Sequence, residues 1–178
     1  WYENDGASDP SWTASDIATS ANGAYGVFAA DMDNDGDKDI LSASFNDDTI
    51  AWYENNGAAN PSWSASNIAT NVDGAIDIHV TDMDNDGDLD IVSVSDNDEI
   101  IAWFENDGAT DPSWSKSTID TRDDEWPSAV YTGDMDSDGD IDVVVASYND
   151  DTISWYENDG ASDPSWSYGS IATNADGA

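Results

Sequence analysis

Ala29-Ala30-Asp31-Met32-Asp33-Asn34-Asp35-Gly36-Asp37-Lys38-Asp39-Ile40-Leu41 holds five aspartates at alternate positions between two apolar edges. The acidic part, of the form D-x-D-x-D-G-D-x-D, returns as Asp82 to Asp90 and as Asp134 to Asp142. Each copy is entered from a short apolar run and left into a β-branched one, such as Asp142-Val143-Val144-Val145-Ala146-Ser147. Runs that short and that β-branched, bounded by Asp, Asn and Gly, read as strands. The acidic stretch is therefore a loop joining two strands.

A second marker keeps the same beat. Trp1-Tyr2-Glu3-Asn4 returns at Trp52-Tyr53-Glu54-Asn55, Trp103-Phe104-Glu105-Asn106 and Trp155-Tyr156-Glu157-Asn158, at spacings of 51, 51 and 52 residues. Trp1 to Trp12 recurs unchanged as Trp155 to Trp166. The extra residue of the last interval falls near Arg122-Asp123-Asp124-Glu125-Trp126, where the pattern is least regular. A period near 50 residues signals a repeat architecture.

In the second unit, strands are expected near 75–81, 90–95, 99–105 and 114–119, separated by the acidic loop, Asp96-Asn97-Asp98 and Asn106-Asp107-Gly108. No segment has a helical period. The second strands carry apolar or small residues on both faces, as expected of a sheet sandwiched between two others. The fold class expected is all-β, as tandem four-stranded blades of a β-propeller-like array. The units are a half blade over 1–24 (its last two strands) and blades over 25–75, 76–126 and 127–178. Such an array leaves bare sheet faces, which invite continuation into further repeats or self-association. Joined end to end, chains would give a dimer, a ring or a filament. The start at Trp1, without Met or signal segment, reads as a processed product or a piece of something longer.

The 178 residues contain 40 Asp and Glu against three Lys and Arg, a formal net charge of −37. Acidic chains are often disordered, but 38% hydrophobic and 11% aromatic residues argue for a folded core here. The charge speaks against nucleic-acid partners, which require basic clusters. No apolar run approaches the length of a membrane-spanning helix. Cysteine is absent, so neither disulfides nor thiolate metal sites arise.

Crowded carboxylates need a cation, and Ca²⁺ takes six to eight hard oxygens from such a loop. The candidate metal ligands are Asp31, Asp33, Asp35, Asp37 and Asp39, then Asp82, Asp84, Asp86, Asp88 and Asp90, then Asp134, Asp136, Asp138, Asp140 and Asp142. Positions 1, 3, 5 and 9 would act through carboxylates and position 7 through its backbone carbonyl. Gly36, Gly87 and Gly139 sit at the sharp turn. Helical calcium loops need Glu at position 12, which here is Ser42, Ser93 or Val145. Three calcium ions, one per loop, would move the charge from −37 to −31.

The run from Ala29 to Leu41 and the Ile-Ala-Trp-Tyr-Glu-Asn type of third strand resemble the FG-GAP/VCBS repeats of integrin α-subunit propellers and of secreted microbial proteins. The resemblance implies a β-propeller-like fold with calcium in the loop between the first two strands of a blade. It leaves activity open, since members include adhesins, lectins, structural domains and appendages of lyases.

Nothing in the chain matches a nucleophile elbow, a zinc helix or a phosphate loop, so the reading is not an enzyme. His79 stands alone in a first strand and reads as structural. The third-strand Trp residues read as packing. Trp63, Trp114 and Trp126 are the candidates for stacking on a sugar. Three functions fit: first, an extracellular or cell-surface structural or adhesive module; second, a lectin-type propeller binding a glycan or other cell-surface ligand; third, the accessory propeller of a polysaccharide-active enzyme. Calcium sites of modest affinity place the chain outside the cell.

Overall fold

The computed structural model describes residues 1–122 and 125–178. Asp123 and Asp124, in the irregular segment noted above, lie outside the described residues. Among the described residues every regular element is a strand. A two-stranded sheet, β1 (Tyr2–Asn4) with β2 (Trp12–Ala14), comes first. Three antiparallel sheets of four strands follow. Blade 1 is β3 (Ala24–Ala30), β4 (Asp39–Ser44), β5 (Thr49–Asn55) and β6 (Trp63–Ala69). Blade 2 is β7 (Ala75–Thr81), β8 (Asp90–Ser95), β9 (Ile100–Asn106) and β10 (Trp114–Thr121). Blade 3 is β11 (Pro127–Gly133), β12 (Asp142–Ser147), β13 (Thr152–Asn158) and β14 (Trp166–Ala172).

The pairing repeats to the residue. Each fourth strand starts at a Trp opposite the Asn of Trp-Tyr/Phe-Glu-Asn: Trp63 with Asn55, Trp114 with Asn106, Trp166 with Asn158. Each also skips one residue, Ile68, Ile119 or Ile171, as a bulge. A bulge sharpens the local twist and turns the strand end inward. The extension of β10 to Thr121, past the expected 119, lies beyond its bulge.

Blades stack face to face. The trailing face of blade 1 (Met32, Leu41, Ile50, Trp52) meets the leading face of blade 2 (Ile78, Ile91, Phe104). Between blades 2 and 3 the equivalents are Met83, Val92, Ile101 and Trp103 against Val130, Val143 and Tyr156. Each fully buried aliphatic or aromatic side chain here contributes roughly 1.5–3 kcal/mol. The seams, not individual sheets, are the core. The first strands converge on the inner edge, where β3 and β11 both touch β7. A Cβ at Gly26 would lie within 3 Å of the Ile76 carbonyl oxygen, so only glycine allows that approach. Along the same edge Phe28, His79 and Tyr131 form an aromatic ladder, with ring centroids 5.1 and 4.5 Å apart.

The end blades differ from the middle one. Met32 and Met83 are 1% exposed in seams, whereas Met135 on the trailing face of blade 3 is 44% exposed. On the leading side, Val27 of blade 1 is 69% exposed, against 3% for Ile78 and 6% for Val130. Residues 17–21 roof part of that face and leave an apolar hollow of about 230 Å³ beside Tyr25, Val27 and Ile40.

Candidate metal centres at the blade seams

Each acidic loop leaves the end of a first strand and re-enters at the second, and its carboxylates tie it together. At position 1, Asp31, Asp82 and Asp134 accept from the amides of Gly36, Gly87 and Gly139 at 3.0, 3.0 and 3.1 Å. At position 3, Asp33, Asp84 and Asp136 accept from Asp35, Asp86 and Asp138 amides at 3.2, 3.3 and 3.2 Å. Position 5 accepts from the amide of position 7 at 2.9, 2.9 and 3.0 Å. These bonds curl the chain only if two residues become left-handed. Position 4 does so (Asn34 and Asn85 at φ 60°, Ser137 at 70°), and position 6 is the glycine at φ 97°, 101° and 102°.

Position 9 locks the loop to the rest of the blade. One oxygen of Asp39, Asp90 or Asp142 accepts from the amide of Met32, Met83 or Met135 at 3.1, 3.0 and 3.0 Å. The other accepts from the amide of Asn55, Asn106 or Asn158 at 2.8, 2.8 and 2.9 Å. All three carboxylates are buried at the foot of the second strand. Burial pushes the Asp90 carboxyl up to about 7.

The result is three clusters. Carboxylate oxygens of Asp31, Asp33 and Asp35 lie within 4.8 Å of one another, as do those of Asp82, Asp84 and Asp86, and of Asp134, Asp136 and Asp142. Asp39 and Asp90 lie beside the first two triads without joining them, and Asp138 beside the third. Burial first, together with the neighbouring carboxylates, raises the pKa of Asp33, Asp84 and Asp136. Among the described residues the ion pairs belong to Arg122, so no side-chain cation balances a loop. Oδ1 of Asp31 is buried and has no hydrogen-bond partner. An orphaned carboxylate oxygen inside an all-oxygen triad is the donor set a hard divalent cation requires.

Position 7 turns elsewhere. The carboxylates of Asp37, Asp88 and Asp140 lie where a side chain on Gly57, Gly108 or Gly160 would stand. Asp88 also accepts from the Asn34 side-chain amide of the preceding blade at 2.9 Å. The Asn ending the third strands of blades 2 and 3 is a seam residue that the sequence reading passed over. The Asn106 side-chain amide donates to its own loop at the Leu89 carbonyl (3.1 Å) and to the preceding loop at the Met32 carbonyl (3.3 Å). Asn158 does the same with Ile141 (3.0 Å) and Met83 (3.4 Å). Its recurrence with every Trp-Tyr/Phe-Glu block was the available signal.

The remaining candidates fall elsewhere. Trp52 and Trp103 are buried in the seams. Trp63 and Trp114 are half-buried on fourth strands, and Trp126 is exposed just before β11. Nδ1 of His79 lies 2.7 Å from the Thr132 hydroxyl of the next blade.

A comparison with curated proteins finds no match. The FG-GAP-like repeat matches residues 31–93 and, in a second overlapping copy, residues 82–145. Both copies run from an acidic loop through a seam to the next loop, which is the unit the hydrogen bonds delineate. Over more than half its length, then, this chain belongs to the FG-GAP-like repeat family.

Proposed function

We propose that the chain is a non-enzymatic, calcium-rigidified structural or adhesive module working outside the cell. Repeats of this family typically form propeller-type modules without catalytic activity and occur in extracellular domains. Among the described residues no helix is long and apolar enough to cross a membrane. The observation that carries the calcium reading is the orphaned Asp31 oxygen within a triad of uncompensated carboxylates. The ligands are the carboxylates at positions 1, 3, 5 and 9 with the backbone at position 7, in each of three loops. Oxygen-only donors favour Ca²⁺ over transition metals, and Mg²⁺ dehydrates too reluctantly for an all-protein cage.

The bare trailing face around Met135 and the leading face around Val27 match the two halves of the internal seams. The partner they fit is another blade of the same kind, in a longer array or a second copy.

Calorimetric titration of metal-stripped protein should count three Ca²⁺ sites, and chelation should lower the melting temperature sharply, because ion binding is coupled to ordering the loops. Asp31→Asn and Asp82→Asn should each remove one site. A melt that ignores both chelator and added Ca²⁺ sinks the proposal.

A further inference from the structure

On the outer rim, between β6 of blade 1 and β9–β10 of blade 2, lies a groove of about 330 Å³. Asn67 and Asn71 line one wall; Phe104, Trp114 and Lys116 line the other. The next seam shows what the repeat does when this space is closed. There Tyr168 takes the place of Lys116, and Arg122 follows Thr121 as Asn71 follows Thr70. The Arg122 guanidinium lies 4.5 Å from the centre of the Tyr168 ring and donates to its hydroxyl at 3.2 Å. Behind it the Tyr156 hydroxyl donates to Asp120 at 3.0 Å, where blade 1 has Ala69. One groove is plugged by its own side chains, and its repeat is left open.

We infer that the open groove is a binding site for a saccharide bearing a carboxylate, a uronic acid residue. A half-buried indole beside carboxamides suits a pyranose, whose C–H face stacks while its hydroxyls reach the amides. The charge comes from Lys116. In a chain with 40 acidic residues it makes no ion pair among the described residues, and its ammonium rests 5.8 Å over the Phe104 ring. The same strand position is Ala65 in blade 1, beside a hollow of about 210 Å³ that no cation lines, and Tyr168 in blade 3, so of the three blades only blade 2 places a cation on this strand position. Distant carboxylates are screened over about 8 Å at physiological ionic strength, and Lys116 is the charged side chain among the residues that line the groove.

The test is titration of the calcium-loaded protein at about 0.15 M salt, with a trigalacturonide and a neutral cellotriose as probes. The uronate is expected to bind and the neutral sugar to bind at least about tenfold more weakly, the difference a charge-assisted contact supplies. Lys116→Met should erase that preference. The double variant Asn71→Arg/Lys116→Tyr, which copies the plug of the next seam, should abolish binding with an unchanged melting temperature. Failure of the uronate to bind, equal binding of both sugars, or full binding by the plugged variant overturns the inference. Calcium stoichiometry is untouched by any of these outcomes, so the calcium reading stands or falls separately.

Discussion

At the scale of single residues, the repeat serves as its own control. Gly23 and Gly74 take a φ of 70° at the turn before a first strand, and in blade 3 that turn is made by Trp126 at φ 52°. The same amide contact is kept, Tyr148 donating to the Trp126 carbonyl as Phe45 does to Gly23. A bulky residue in the left-handed region costs about 1–2 kcal/mol, against a smaller entropic penalty for glycine. Trp126→Gly should therefore raise the unfolding free energy by about 1 kcal/mol, measured by denaturant titration. His79 offers a second test. Burial lowers its pKa below 6.5, with Asp77 partly opposing, and the ring sits between Phe28 and Tyr131. The unfolded chain then binds a proton that the folded chain refuses. The resulting stability is full above pH 6.5 and is lost as pH falls through the folded value. His79→Phe, which copies blade 1, should remove that loss: with calcium in excess, its melting temperature should overtake the wild type's on acidification. Parallel pH profiles would rule this out.

Among the elements, the loop and the third strand form one device. The Asn106 side-chain amide spans two loops, whereas that of Asn55, equivalent in sequence, donates to its own loop at the Lys38 carbonyl (3.0 Å) on an exposed site. Removing a buried amide that satisfies two carbonyls costs about 1–3 kcal/mol. Asn106→Ala should reach that range and Asn55→Ala should fall well short, compared by thermal melts in saturating calcium. Equal losses would mean that the link between loops carries no energy. This also marks what the sequence could disclose. Strand identity and loop position were readable because Asp-Gly turns and β-branched runs act locally. The glycine at position 6 declared its dihedral, and the φ values agree. Partners across a seam were not readable, since Asn106 and Met32 are 74 residues apart and no local pattern pairs them. Nor was the fate of position 7, whose carboxylates answer to a glycine in another hairpin.

For the whole molecule, the unsatisfied surfaces are the two ends. They are apolar sheet faces whose equivalents are covered twice within the same chain, and the proposed complement is another blade of the same kind. Sedimentation of the calcium-loaded protein should show association that grows with concentration. Met135→Glu, on a half-exposed position, should suppress it while leaving the calcium-dependent melt intact. A wild-type chain that stays monomeric throughout would mean that other blades of a longer array, not second copies, meet these faces. The net charge of −37 should make the association steeply sensitive to salt and to calcium.

Each seam joins the trailing face of one unit to the leading face of the next, and every full unit carries both. Recombination between near-identical repeats could therefore delete or duplicate one 51-residue unit and regenerate an intact junction. Array length in such a gene is free to drift without loss of foldability. Arg122 and Tyr168 are an exception, because they lie in consecutive units and their ring stacking and hydrogen bond need both. A crossover that separates them would leave an arginine without its tyrosine, so this junction carries a memory of which blade it follows.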